Sequence, residues 1–420
     1  MTAPLTDLVL VEDPRFYDDR QFAVYDRMRA EALAYHYEPL DVFLLTRMDD
    51  VRYVSTHPEL FSNTSGLTLN QLRMARDGAI TAFERFNEPD GELVITKDPP
   101  RQRTLRSLMS QNLTPRYLSG FSQALDGFCR DLLDQVKDGE PVDFVDAVAA
   151  QLPLYVAAAL LGVDSVDIPR MKSWVAALED LTRITSAADL EEPGQRFDEL
   201  KAFLRDQLAR KRQRPGNDIM SSFLASTLDR APVPDAVVLA HVATLMSNGG
   251  TTRLLLASIA GLLAENPSQV ELVRADPGLL DGMIEECLRL MPPARGFVRT
   301  LTADVELGGT RIRAGQRVYL LYPAANRDPG HFPRPDSFDP ARPQGYGHAS
   351  FGFGAHFCLG AGLARMEAKA LFAELLSRYS SISLAGVPTR YQHVQLNGWE
   401  TLPVTFNPVK LARGQSKEDS

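Results

Sequence analysis

Cysteine is scarce: Cys129, Cys287 and Cys358 are the only three in 420 residues, and they lie far apart. Without a CxxC pair there is no zinc spacing and no disulfide framework, so a reducing, cytoplasmic compartment is the expectation. Positive charge is short too. Lys and Arg number 45 against 54 Asp and Glu, a net charge of −9, which argues against nucleic acid as a partner. The most apolar stretch, Ala236 to Thr252, is broken by His241, Asn248 and two glycines, and Arg253 follows at once, so it falls short of a lipid-spanning helix. Near the start, Asp7, Glu12 and Asp13 stand where a secretion signal needs a basic start and an apolar core, so neither an export segment nor a membrane anchor is expected. Also missing are a GxGxxG dinucleotide fingerprint, an internal repeat, a low-complexity tract and a linker.

What is present reads as one globular domain over 1–420, with 1–20 and 412–420 as flexible ends and the chain as a monomer. Hydrophobic residues make up 44% and charged residues 24%, average for such proteins. The pattern is mainly α with a smaller β portion. Ala147–Leu161, Met171–Thr182, Phe197–Arg212, Ile219–Leu228, Leu279–Met291 and Cys358–Tyr379 carry helical spacing, whereas Val42–Thr46, Val305–Leu307 and Val318–Leu321 read as strands. Ser62–Pro100 has no sustained period, which predicts a long, partly irregular connection over a surface or a pocket. Asp235 is placed to cap a helix running to about Glu265 whose apolar residues go almost all round, as a helix through the core requires. At its centre, Asn248-Gly249-Gly250-Thr251-Thr252 sets two glycines where each costs about 1 kcal/mol relative to alanine, so something is expected to approach that backbone closely.

The chemistry points to Cys358. In Phe351-Gly-Phe-Gly-Ala-His-Phe-Cys-Leu-Gly360 the cysteine follows a glycine-rich turn and precedes a helix. Unpaired amides at a helix start favour a thiolate, the form that ligates metal. Gly352, Gly354 and Gly360 let the backbone turn tightly and lie flat against a large planar group such as a porphyrin. His356 is suitably placed to meet an acidic substituent at its edge. A lone cysteine is also often a small buried hydrophobe. Six fixed positions at roughly average residue frequencies, however, would recur by chance in such a chain less than about once in 100,000.

With this loop the chain resembles the cytochrome P450 superfamily of haem-thiolate monooxygenases. The resemblance implies a helical prism with a smaller β portion, haem b as cofactor and Cys358 as the axial iron ligand, with Phe351, Gly352, His356 and Gly360 around it. Glu286-Cys-Leu-Arg289 resembles the family's Glu-x-x-Arg helix, and Arg342 its third partner in a buried triad. By spacing alone, Glu286 and Arg289 could equally form a surface ion pair. Arg299 and Arg106 resemble the arginines that bind haem propionates. Gln102 stands where a histidine is usual; it can donate a hydrogen bond but carries no charge.

The larger departure lies in the central helix. Ser247–Thr252 is similar to the family's oxygen-activation segment, and Gly250 occupies the position of its acid. Thr251 keeps the hydroxyl, while the carboxylate that relays protons is missing. Asn248 with ordered water could form another relay; a loosened helix in which Thr251 bonds back to a carbonyl is the alternative. The implied function is hydroxylation or epoxidation of a small apolar molecule with dioxygen. Electrons would come from a ferredoxin and its NAD(P)H-dependent reductase, with Arg101, Arg103 and Arg116 as docking candidates. Peroxide-driven or non-inserting chemistry is the competitor that Gly250 motivates, and a haem-binding sensor is a third. Candidates for the substrate pocket are Leu245, Gly249, Ala294, Arg295, Phe297, Val298, Asn397 and Trp399. Arg295 either points inward, toward an acidic or carbonyl-bearing substrate, or is a surface cation.

Overall fold

Eight helices position the site in the computed structural model, which describes residues 3–79, 91–183, 187–343, 345 and 347–409. The side chains of Thr182, Ala187, Ala188 and Asn248, and residues 410–420, lie outside the described set. The helices are α1 (Arg101–Ser110), α2 (Ser122–Leu133), α3 (Leu152–Leu161), α4 (Ile168–Arg183), α5 (Glu191–Gln213), α6 (Asp235–Glu265), α7 (Leu280–Leu290) and α8 (Ala361–Arg378). Proline marks two of their boundaries. Pro292-Pro293 follows α7, and the apolar run that opens α3 begins with Pro153 in its first turn, where a missing N–H costs nothing.

The apolar circumference of α6 has the predicted consequence. Leu254, Leu256, Ala257, Ile259, Ala260 and Leu263 are all fully buried, and α6 packs against α3, α4, α5, α7 and α8. Asp235 does not cap it. Pro234 is the N-cap residue, and the Asp235 carboxylate instead accepts from Arg212 at the end of α5. Within residues 3–20, expected to be flexible, Val9, Val11 and Tyr17 are buried, and the Tyr17 hydroxyl donates to the Val11 carbonyl at 2.7 Å.

The main sheet has five strands, β1 (Ala34–Tyr37), β2 (Val42–Leu45), β3 (Phe61–Ser62), β4 (Gly296–Leu301) and β5 (Arg317–Leu321), in the order β1-β2-β5-β4-β3. Only the β5–β2 pair is parallel; β5 meets β4 antiparallel, with Val318 opposite Arg299 and Leu320 opposite Phe297. Because successive side chains on a strand face opposite ways, Phe297 and Arg299 share one face of β4 and Val298 takes the other. That parity decides which of them reaches the cavity. Val305–Leu307 pairs with Thr310–Ile312 around Gly308-Gly309 as a separate hairpin rather than with β5.

One buried acid in this framework has a measurable signature. Glu367 on α8 is 2% exposed, and burial pushes its carboxyl up from 4.5 to about 8. Below pH 4.5 it is neutral in both folded and unfolded chain. As pH rises to about 8 the unfolded chain ionises first, so stability is lost across that window, on the order of 5 kcal/mol in total. Glu367→Gln should remove this slope, and melting curves at pH 5 and pH 9 should show the variant gaining on the parent at the higher pH.

Candidate active site

The loop before α8 carries the sulfur. Gly352 and Gly354 sit at φ +65° and +66°, and a Cβ on Gly354 would lie 2.4 Å from the Ser55 carbonyl, so only glycine permits this turn. The Cys358 N–H donates to the Phe351 carbonyl at 2.9 Å and closes the loop. Cys358 lies three residues before α8 rather than at its first turn. Gly360 has an ordinary φ of −81°; its bare face instead leaves room beside the sulfur, 3.9 Å from where a Cβ would stand. Burial pushes the thiol up from its usual value, while N–H groups of Gly360 and Ala361 and the cations Arg106 and Arg365 pull it down. A coordinated metal would settle that contest for the thiolate.

Cys358, Phe351, Gly352, His356 and Gly360 all line one large cavity, together with Arg106 from α1 and Arg299 from β4. Among the described residues neither arginine has a carboxylate within ion-pair distance. Arg299 is 5% exposed and donates to the Val298 carbonyl at 2.8 Å, and burial draws its pKa down. Arg106 donates to the Ala355 carbonyl at 3.3 Å and is likewise drawn down by burial. The His356 imidazole, pulled down to about 4 by burial first and then by Arg299, has a buried Nε2 with no partner. A buried cation, a half-buried one and an orphaned ring nitrogen around one cavity call for an anionic guest. A flat macrocycle with two carboxylates and a metal for Cys358 fits that donor set.

Gln102 does not line the cavity. It is fully buried behind the loop and donates to the Ala355 carbonyl at 2.6 Å, so it braces the loop rather than reaching the guest. Glu286, Arg289 and Arg342 do form a buried triad. Arg289 donates to both Glu286 oxygens at 2.7 Å, and Arg342 Nε to both at 2.9 and 3.0 Å.

On the other wall, α6 presents Leu245, Thr251 and Thr252 to the same cavity, with Ala294 and Phe297 beside them. Gly250 does not face it. Gly249 and Gly250 instead border a separate cavity between α6 and α4, and Asn248 lies outside the described side chains. Five pocket candidates lie off this cavity, Gly249 and the four that follow. Arg295 is 2% exposed, yet its guanidinium lies over the Tyr17 ring at 4.0 Å and its Nε donates to the His393 and Leu396 carbonyls. It therefore points neither into the pocket nor to solvent. Val298 is turned away by strand parity into the cluster with Tyr25 and Tyr319. Asn397 Nδ2 donates to the Pro292 carbonyl, and Trp399 lies under Arg390 at 4.0 Å.

Asn63, Val94 and Ile95 of the irregular Ser62–Pro100 connection line the cavity, as expected of it; sequence reasoning missed Tyr322, which follows β5. It also missed Glu179 of α4, whose carboxylate reaches Gly250 across the helix interface. No short-range signal marks either of them.

The cytochrome P450 family model matches residues 196–396. Cytochrome P450 107B1 of Saccharopolyspora erythraea is 32% identical over 415 residues, which span 96% of this chain and 98% of the relative. Erythromycin C-12 hydroxylase of the same organism is 34% identical over 322 residues, 75% of this chain and 81% of the hydroxylase. Among solved structures, CYP108D1 from Novosphingobium aromaticivorans superposes with a TM-score of 0.84 at 29% identity, covering 97% of this chain and 99% of its own.

Proposed function

This chain belongs to the cytochrome P450 family and is a haem b-dependent monooxygenase, and on that premise we propose that it hydroxylates or epoxidises a small apolar molecule, using dioxygen and electrons from a ferredoxin and its NAD(P)H-dependent reductase. The observation that carries this reading is that Cys358 and Thr251 face one cavity from different walls, with Leu245, Leu255, Ala294 and Phe297 making the space between them apolar. Cys358 would hold the iron, and Arg106, Arg299 and His356 would meet the carboxylates at the macrocycle edge. Bound there, haem supplies the activation of dioxygen, which a thiolate ligand favours by promoting O–O cleavage.

The chain's own residues do the rest. The apolar wall admits a hydrophobic substrate and excludes bulk water, and the Thr251 hydroxyl on α6 holds a proton donor at the reacting side. The relative that hydroxylates erythromycin at C-12 supports an oxygen-inserting reaction on an organic substrate. Among the described residues no helix is long and apolar enough to cross a membrane, and a cytoplasmic setting is proposed from the isolated cysteines. The test is turnover. Tight coupling of NAD(P)H oxidation to product through a ferredoxin chain supports the reading; product formed with peroxide alone would favour the peroxide-driven alternative that Gly250 motivates.

Two variants probe the parts. Arg299→Leu should weaken haem retention by about 10- to 100-fold, the worth of a charge-assisted hydrogen bond, without destabilising the haem-free protein. Haem transfer to an acceptor protein, set beside apo-protein melting, checks both halves. For the electron donor, Arg101 is already paired with Glu92 and Asp229, so docking is assigned to the exposed Arg103 and Arg116. Arg103→Glu should slow reduction by ferredoxin several-fold, more so at low salt, with an unchanged haem spectrum.

A further inference from the structure

The centre of α6 is a wall between two cavities. Thr251 and Thr252 border the haem cavity. One residue earlier, Gly249 and Gly250 border a second cavity lined by Glu179, Arg253, Tyr391 and Arg183, with Lys172 and Asp146 farther out. Two adjacent glycines in the middle of a helix are unfavourable; a Cβ on the first would meet only Pro153, at an ordinary 3.6 Å, whereas what approaches the second is an acid. A Cβ built on Gly250 would lie 2.0 Å from Oε1 and 3.0 Å from Cδ of Glu179. The carboxylate of α4 thus fills the seat that a side chain at position 250 would occupy.

The carboxylate is held there. Its Oε2 accepts from the Tyr391 hydroxyl at 2.6 Å and from Arg253 Nη2 at 3.0 Å. Arg253 and Glu179 are only 14% and 12% exposed at their side chains, and the Arg183 and Arg253 guanidiniums both lie over the Tyr391 ring, at 4.6 and 4.9 Å. A purely structural ion pair would need no glycine beside it. Here any side chain at 250 would evict Oε1, and the residue next to Thr251 is left bare.

We propose that Glu179 is the proton-relay residue of this enzyme, supplying from α4 the carboxylate that α6 lacks at Gly250. The proposal rests on the monooxygenase reading above. Each turnover takes one dioxygen, two electrons from the donor protein and two protons, and returns oxidised substrate and one water. Glu179 takes a proton from water in the second cavity, passes it past the bare Gly250 to the Thr251 side, and ends each cycle unchanged.

Glu179→Gln keeps the shape and an acceptor for Tyr391 and Arg253 but cannot relay. Product formed per electron should fall by about tenfold or more, the missing electrons should appear as peroxide, and the solvent deuterium isotope effect should rise. Haem content, the reduced carbon monoxide spectrum and substrate affinity should stay as in the parent. Moving the acid in Glu179→Ala/Gly250→Asp should restore coupling. Seat occupancy is read separately, without turnover: Gly250→Asp should lower the melting temperature in the parent but much less beside Glu179→Ala. Parental coupling and isotope effect in Glu179→Gln, or an equal melting penalty for Gly250→Asp in both backgrounds, would overturn the proposal and leave the monooxygenase reading standing. No reductant-driven product from the unmutated enzyme would remove that reading, and the relay with it.

Discussion

Cys358→Ser is expected to abolish product formation and the red-shifted Soret band of the reduced, carbon monoxide-bound protein while leaving the fold intact. The fold survives because the loop is closed by main-chain bonds, Cys358 N–H to Phe351 and Gly352 N–H to Ala349, and serine changes neither. The chemistry does not survive, because a hydroxyl ionises far less readily than a thiol and serine cannot push electron density onto the iron as a thiolate does. The other two cysteines provide the contrast. Cys129 and Cys287 are fully buried in the apolar core, and burial pushes the Cys129 thiol up to about 12. Serine at either should cost stability through an unpartnered hydroxyl yet leave the optical signature untouched. Absorption spectra of the three variants check this, and a retained thiolate signature in Cys358→Ser would remove the axial-ligand assignment.

The same contrast separates what the sequence could tell from what it could not. Cys358, the glycines around it, and the Glu286/Arg289 pair are local patterns, in which backbone conformation and i,i+3 spacing place the groups before any tertiary contact forms. The core position of α6 was legible because an apolar circumference leaves a helix no solvent face. Arg295 was not, because its burial depends on Tyr17 arriving from the far end of the chain and on the His393 and Leu396 carbonyls. Val298 was misassigned by one residue of strand parity, which the sequence of a six-residue strand buried on both faces does not reveal. The two glycines of α6 announced a close approach, but only the packing of α4 on α6 says that the visitor is Glu179. Gln102 shows the reverse. Its place in the sequence pointed to the cofactor, whereas the folded chain gives its donor to Ala355.

Glu286→Ala is the variant expected to cost most in stability, about 3–5 kcal/mol, because it strands two guanidiniums that solvent cannot reach. Arg289 is 2% exposed and Arg342 8%. Both also donate to carbonyls of the 326–337 stretch, Arg289 to Asn326, Pro335 and Ser337, and Arg342 to Pro333, Arg334 and Ser337. The carboxylate therefore neutralises a pair of clamps that fix this stretch against α7. The clamps matter to the sulfur. Asn326 hydrogen-bonds Ser350 and the Ala349 N–H, and Ser350 bonds back to the Leu288 carbonyl of α7, directly before the Cys358 turn. Loss of Glu286 should accordingly loosen haem as well as the fold, with faster haem release at temperatures below the melting point. Glu286→Gln, which keeps two hydrogen-bonding atoms but no charge, should fall between. Because the pair is buried, 1 M salt should leave the difference from the parent in place. A loss below about 1 kcal/mol, or one that salt erases, would mark an exposed-type ion pair instead.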